Sequence, residues 1–155
     1  MQRSIQRVHD ALQNAGLNVD IVEFSDATRT AEEAAAAIGT TVARIVKSLV
    51  FLADGEPIVV LASGANRVDL ARLGSELGRH IARADAERVR LATGYAIGGV
   101  APIGYPTPIE VVLDRDLLSF DVVWAAAGTP RSVFSIRPDE LVRLTGARIL
   151  DVKQD

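Results

Sequence analysis

With 155 residues, 48% hydrophobic and 24% charged, the chain is long enough to bury a core of its own and too apolar to stay disordered. Its formal net charge of −3 gives the surface as a whole no electrostatic match to nucleic acid, so such a partner would need a local basic face. There is no cysteine, which excludes disulfides, thiolate metal sites and a cysteine nucleophile together. The opening MQRSIQRVHD has no apolar signal core, so a cytoplasmic location with no membrane partner is expected.

Along the chain, Ile5, Val8, Leu12 and Ala15 recur at helical spacing and Gly16 follows as a stop, predicting a first helix. Residues 19–24 alternate apolar with acidic, as a short strand does. Thr30-Ala31-Glu32-Glu33 matches a capping box, and the helix it opens should end at Gly39. Residues 44–53 and 57–63 are β-rich runs joined by Asp54-Gly55-Glu56, which predicts a hairpin. Asp69 and Asp85 should cap two more helices, closed by Gly78 and Gly94. Strands are expected at 109–113, 122–126, 132–136 and 149–152, with a helix starting at Pro138 and ending at Gly146. About seven strands and five helices interleave irregularly. That favours one mixed α/β domain over 1–155 rather than a doubly wound parallel sheet.

Residues 91–109 carry no charge over 19 positions, the length of a membrane span. Gly94, Gly98, Gly99, Gly104, Pro102, Pro106 and Pro108 rule out such a helix, while Tyr95, Ile97, Val100, Ile103 and Tyr105 offer surface to bury. A long ordered loop packed on the domain is the reading, and loops of this length are usually functional.

Two features could carry chemistry. Of the 17 basic residues only Lys47 and Lys153 are lysine, so Lys47 stands out inside its strand. With a period of two it shares a face with Ile45, Leu49 and Phe51, which leaves it partly desolvated. Either its stem snorkels from an edge strand, or its ammonium sits at the floor of a pocket holding a phosphate, carboxylate or polarised carbonyl. The second feature is Gly98-Gly99-Val100-Ala101-Pro102-Ile103-Gly104, whose glycines could turn backbone N–H groups toward an anion or carbonyl oxygen, or make only a tight turn. It is neither a dinucleotide fingerprint nor a P-loop.

His9 and His80 lie far apart without clustered carboxylates, so no metal site and no Ser-His-Asp triad is expected. Asp114 and Asp116 read as a turn or cap rather than an acid/base pair. Six arginines against four acidic residues between positions 67 and 90 leave a local +2, either a modest RNA-facing patch or a solvated helical surface.

In order and spacing, residues 30–35, 44–51, 98–104, 123–128 and 139–147 resemble the YbaK/prolyl-tRNA-synthetase-associated domain family of aminoacyl-tRNA deacylases. The resemblance implies a mixed α/β domain with a strongly curled, partly barrel-like sheet. It also implies trans-editing: hydrolysis of the ester joining a wrong, small amino acid to tRNA, most often tRNA-Pro, with prolyl-tRNA synthetase as a further partner. The family's signature lysine maps onto Lys47 and its glycine/proline loop onto Gly98, Gly99, Val100, Ala101 and Pro102. On this resemblance Lys47, Gly98 and Gly99 are the expected catalytic residues and Thr30, Val100, Ala101, Pro102 and Gly128 the expected substrate-binding ones, and no cofactor, metal or protein nucleophile is implied. Members acting on alanyl-tRNA-Pro carry a His-Pro pair where this chain reads Ala127-Gly128-Thr129-Pro130, so Gly128 points toward cysteine or another slightly larger side chain. Two other readings compete: a non-catalytic tRNA- or synthetase-binding module of the same fold, and a small-molecule binding protein with an apolar pocket.

Overall fold

The computed structural model describes residues 3–25, 28 and 30–155. Helix α1 (Arg3–Asn14) buries Ile5, Val8 and Leu12, the face set by its apolar spacing. Strand β1 (Ile21–Glu23) leads to α2 (Ala31–Ile38), whose N-cap Thr30 accepts from Glu33 N–H and whose C-cap Gly39 is left-handed at φ 83°. A 3₁₀ turn over Val42–Arg44 then delivers the chain into β2 (Val46–Ala53).

The hairpin from β2 to β3 (Glu56–Ser63) turns through Asp54 and Gly55, both at positive φ (48° and 84°), as a two-residue turn matched to strand twist requires. Asp69 and Asp85 cap α3 (Leu70–Leu77) and α4 (Ala86–Thr93), with β4 (Ile81–Arg83) between them. Strand β5 (Glu110–Asp114), a 3₁₀ turn over Arg115–Ser119, β6 (Val123–Ala126), β7 (Ser132–Ile136), α5 (Pro138–Thr145) and β8 (Arg148–Leu150) complete the order. Among the described residues no helix is long and apolar enough to cross a membrane.

The strands form two sheets. The larger runs β4-β2-β3-β5-β8, antiparallel from β4 to β3 and parallel from β3 to β8; the smaller runs β1-β7-β6, all antiparallel. This corrects the expected strongly curled, partly barrel-like sheet of about seven strands. Among the described residues there are eight strands, and neither sheet closes on itself. A single parallel bridge, Ile45 to Trp124, links the sheets. The physical reason lies in β2, which pairs with β4 only through Phe51, Leu52 and Ala53. The rest of that edge meets the small sheet at one bridge, too little for a continuous ladder.

Period-two alternation gives β2 two buried faces. Val46 and Val50 join the main core with Val8, Leu12, Leu61, Leu113, Ala125 and Phe134, which packs the large sheet against α1 and the small sheet. Phe51 and Ala53 join a second core under α3 with Ile58, Val60, Leu73, Val112 and Val152. The loop over 94–109 is ordered against the body. Tyr95 is buried, its hydroxyl donates to Ile103 O at 2.7 Å, and the Tyr105 hydroxyl donates to Ala101 O at 2.8 Å.

Candidate active site

A cavity of about 600 Å³ opens along the edge of β2 that β4 leaves uncovered, where a closing strand would otherwise lie. The large sheet forms one wall. Trp124 and Ala126 of β6 with Ser132 and Val133 of β7 form another, α2 supplies Ala31 and Ala34, and Ile97, Gly98 and Val100 bring in the long loop.

Lys47 stands in this cavity, half-buried on the face it shares with Leu49 and Phe51, as its spacing predicts. Ile45, expected on that face as well, precedes the strand and packs instead with Ala34 and Ala35 beneath α2. The Lys47 ammonium donates to the main-chain carbonyl of Asn66 at 2.5 Å. An ammonium has three donors, so two remain for a bound molecule. Burial pulls the Lys47 pKa below its usual 10.5, and Arg67 works in the same direction, while Glu32 and Asp114 oppose the fall.

The carbonyl that holds Lys47 is itself fixed. Asn66 Nδ2 donates to Asp114 at 2.8 Å and to Asp116 at 2.9 Å. Asp114 is fully buried and also accepts from Ser63 N–H at 3.1 Å and Asp116 N–H at 3.0 Å. Asp114 and Asp116 thus make a cap and turn, as expected, with Lys153 closing on Asp116 at 3.2 Å.

Of the expected site residues, Lys47, Thr30, Gly98 and Val100 line the cavity. Gly99, Ala101, Pro102 and Gly128 do not line it. Gly98 is exposed at φ 89°, whereas Gly99 is buried, its N–H spent on Ala96 O at 3.0 Å. A Cβ on Gly99 would stand 2.8 Å from the Thr129 Cα, so this glycine lets two backbone segments pass closely. Ala101 and Pro102 are buried, Ala101 within the main core. Gly128, at φ 102°, packs on the Ser4 main chain of α1.

Among the other lining residues, Ser48, Arg67, Arg83 and Trp124 bear on what the cavity can hold, though the sequence alone does not single them out as site residues. Ser48 has a buried hydroxyl with no hydrogen-bond partner among the described residues. Arg67 and Arg83, which the sequence shows only as part of a diffuse basic stretch, both reach this cavity, Arg67 three positions after the sharp approach of Gly64 to Val42 O and Ala31. Trp124 closes the far side. Period-two reading places Ser48 opposite Lys47, and only the uncovered strand edge lets one cavity reach both. Neither His9 nor His80 lines it. Among the described residues no group of three potential metal ligands occurs.

The arrangement is a desolvated cation oriented by a carbonyl, in a mostly apolar cavity with two arginines, which suits a ligand carrying negative or developing negative charge. Comparison with known proteins agrees. The family profile for the aminoacyl-tRNA editing domain matches residues 25–144. The chain is 33% identical over 138 residues to the uncharacterized protein YwhH of Bacillus subtilis (strain 168), covering 88% of each. It is 33% identical over 91 residues to the proline–tRNA ligase of Streptococcus suis (strain 05ZYH33), 56% of this chain but only 14% of that much longer enzyme. A crystal structure described as a candidate trans-editing enzyme for prolyl-tRNA synthetase superposes with a TM-score of 0.95 at 46% identity, covering 100% of this chain and 99% of that one. With the profile spanning most of the chain and the fold shared end to end, this protein belongs to the aminoacyl-tRNA editing domain family.

Proposed function

We propose that the protein is an aminoacyl-tRNA deacylase that hydrolyses, in trans, the ester of a small mischarged amino acid on tRNA-Pro. The observation that carries this reading is Lys47, an ammonium fixed by one carbonyl inside a cavity with room for an aminoacyl group and part of the terminal nucleoside. An aminoacyl ester is already activated, so positioning a water or a substrate group and stabilising the oxyanion are enough. Lys47 places its two remaining N–H donors on the terminal nucleoside or ester carbonyl. The loop at Gly98 and Val100 supplies main-chain polarity beside it, and Gly99, Ala101 and Pro102 hold that loop in place. Arg67 and Arg83 balance phosphate charge, and Thr30 and Trp124 border the amino-acid end.

The scheme uses no metal, cofactor or protein nucleophile and operates in the cytoplasm, where charged tRNA is found. Selectivity between amino acids follows from cavity size, one methylene being worth about 1–3 kcal/mol. The whole chain acts as one editing domain, with prolyl-tRNA synthetase as the source of its substrate.

The test is a deacylation panel: tRNA-Pro charged with alanine, cysteine, serine, 2-aminobutyrate or proline, with wild type and Lys47→Ala. Multiple-turnover release of one non-cognate amino acid, lost in the variant, is expected. Turnover retained in Lys47→Ala would remove the lysine from the mechanism. No hydrolysis of any ester would leave a non-catalytic tRNA- or synthetase-binding module.

A further inference from the structure

We propose that Asp114 is a positioning residue for Lys47, acting through Asn66; the inference rests on the reading of Lys47 as the group that engages the substrate. Three observations carry it. Asp114 is a fully buried carboxylate on the last residue of β5, and burying such a group is expensive unless it is hydrogen-bonded, which ties it to the groups it accepts from. One carboxylate oxygen, Oδ2, accepts from Ser63 N–H at the end of β3 and from the Asn66 side chain three residues on, while the other accepts from Asp116 N–H. The Asn66 carbonyl then takes the Lys47 ammonium. Side chain and main chain of Asn66 therefore face two ways, one fixed by carboxylates and the other fixing the lysine.

The network closes on itself. Asp116 takes a second bond from the Asn66 amide, and Lys153 pairs with Asp116. Both lysines of the chain thus end on the same few residues, 66, 114 and 116, although only Lys47 enters the cavity. A loop without this carboxylate anchor could still fold over β3, but its carbonyl would wander and the ammonium with it. The charged groups acting on Lys47 are Glu32 of α2, Asp114 at the end of β5 and Arg67 in the loop after β3, so removing the Asp114 charge leaves Glu32 as the opposing anion.

Having only two lysines makes the test direct. Protein labelled with ¹³C at lysine Cε gives two side-chain signals, assigned by their loss in Lys47→Met. In Asp114→Asn the Lys47 signal should titrate at lower pH than in wild type. The kcat for the aminoacyl-tRNA cleaved by wild type should fall roughly tenfold or more with KM little changed, since displacing a reacting group by about 1 Å suffices for that. Asn66→Ala keeps the carboxylate and cuts only the link, so it decides the matter if Asp114→Asn fails to fold. It too should shift the Lys47 titration and lower kcat. A Lys47 signal unchanged in the folded variants, with only Tm reduced, would overturn the proposal and leave Asp114 a structural anchor. Should wild type cleave no ester, the functional reading falls, while the NMR arm still decides whether Asp114 and Asn66 set the state of Lys47.

Discussion

Burial of the Lys47 ammonium has a thermodynamic consequence that can be signed. Its pKa is lower in the fold than the 10.5 of an exposed lysine, so below that lowered value the native state holds a poorly solvated charge and loses stability by it. The loss is fully present below the lowered pKa and is relieved as pH rises from there toward 10.5. Lys47→Met, which keeps the stem and removes the charge, should therefore raise Tm at pH 7 by roughly a few degrees while abolishing deacylation. A lower Tm would mean that the bond to Asn66 and the attraction of Glu32 and Asp114 outweigh burial. At Gly99 the constraint is steric. An added Cβ would meet the Cα, C and N of Thr129 at 2.8, 2.9 and 3.1 Å, all backbone atoms that cannot swing away. Gly99→Ala should cost about 1–3 kcal/mol in denaturant unfolding, with the loop at the cavity mouth displaced. Sequence reading marked this glycine for its N–H, but the structure gives it the role of close passage.

At the scale of elements, local chemistry was the most legible. The N-cap at Thr30, the αL glycines at 39, 78, 94 and 146 and the Asp-Gly hairpin all form where their spacing places them. Thr30 closes the first turn of α2 through Glu33 N–H at 3.0 Å, and α2 presents Ala31 and Ala34 to the cavity. Thr30→Ala should cost about 1 kcal/mol in chemical unfolding and speed amide exchange in the first turn of α2. Unchanged exchange would show the helix held by its packing alone. Strand β4 escaped the sequence reading because three residues, Ile81–Arg83, are too few to show a period. Of the expected packed loop over 91–109, residues 94–109 form it with Tyr95, Val100 and Ile103 buried, whereas 91–93 close α4 and Ile97 is exposed.

For the whole molecule, the two sheets share one core despite their single bridging pair. Phe134, fully buried in the middle strand of the small sheet, belongs to the same cluster as Val59 and Leu113 of the large one. Unfolding should therefore be one cooperative transition. Phe134→Ala should move that single transition down by about 3–5 kcal/mol, whereas a separate early melt would show the small sheet unfolding by itself.

The sequence by itself determined the helices and their caps, the hairpin, the lysine on an apolar strand face and the family resemblance, because each depends on residues close together in the chain. The tertiary structure decided the rest. Whether β2 is covered along its edge depends on how far β4 pairs with it and on where β6 arrives from more than seventy residues away, and no local pattern encodes either. That uncovered edge turns the expected strongly curled, partly barrel-like sheet into two sheets with a cavity between them. It brings Ser48, Arg67, Arg83 and Trp124 to Lys47, and it leaves Gly128 on α1 rather than in the site. Long-range packing also sets the Asp114–Asn66 anchor, since its partners lie 48 positions apart and meet only because β3 and β5 run side by side.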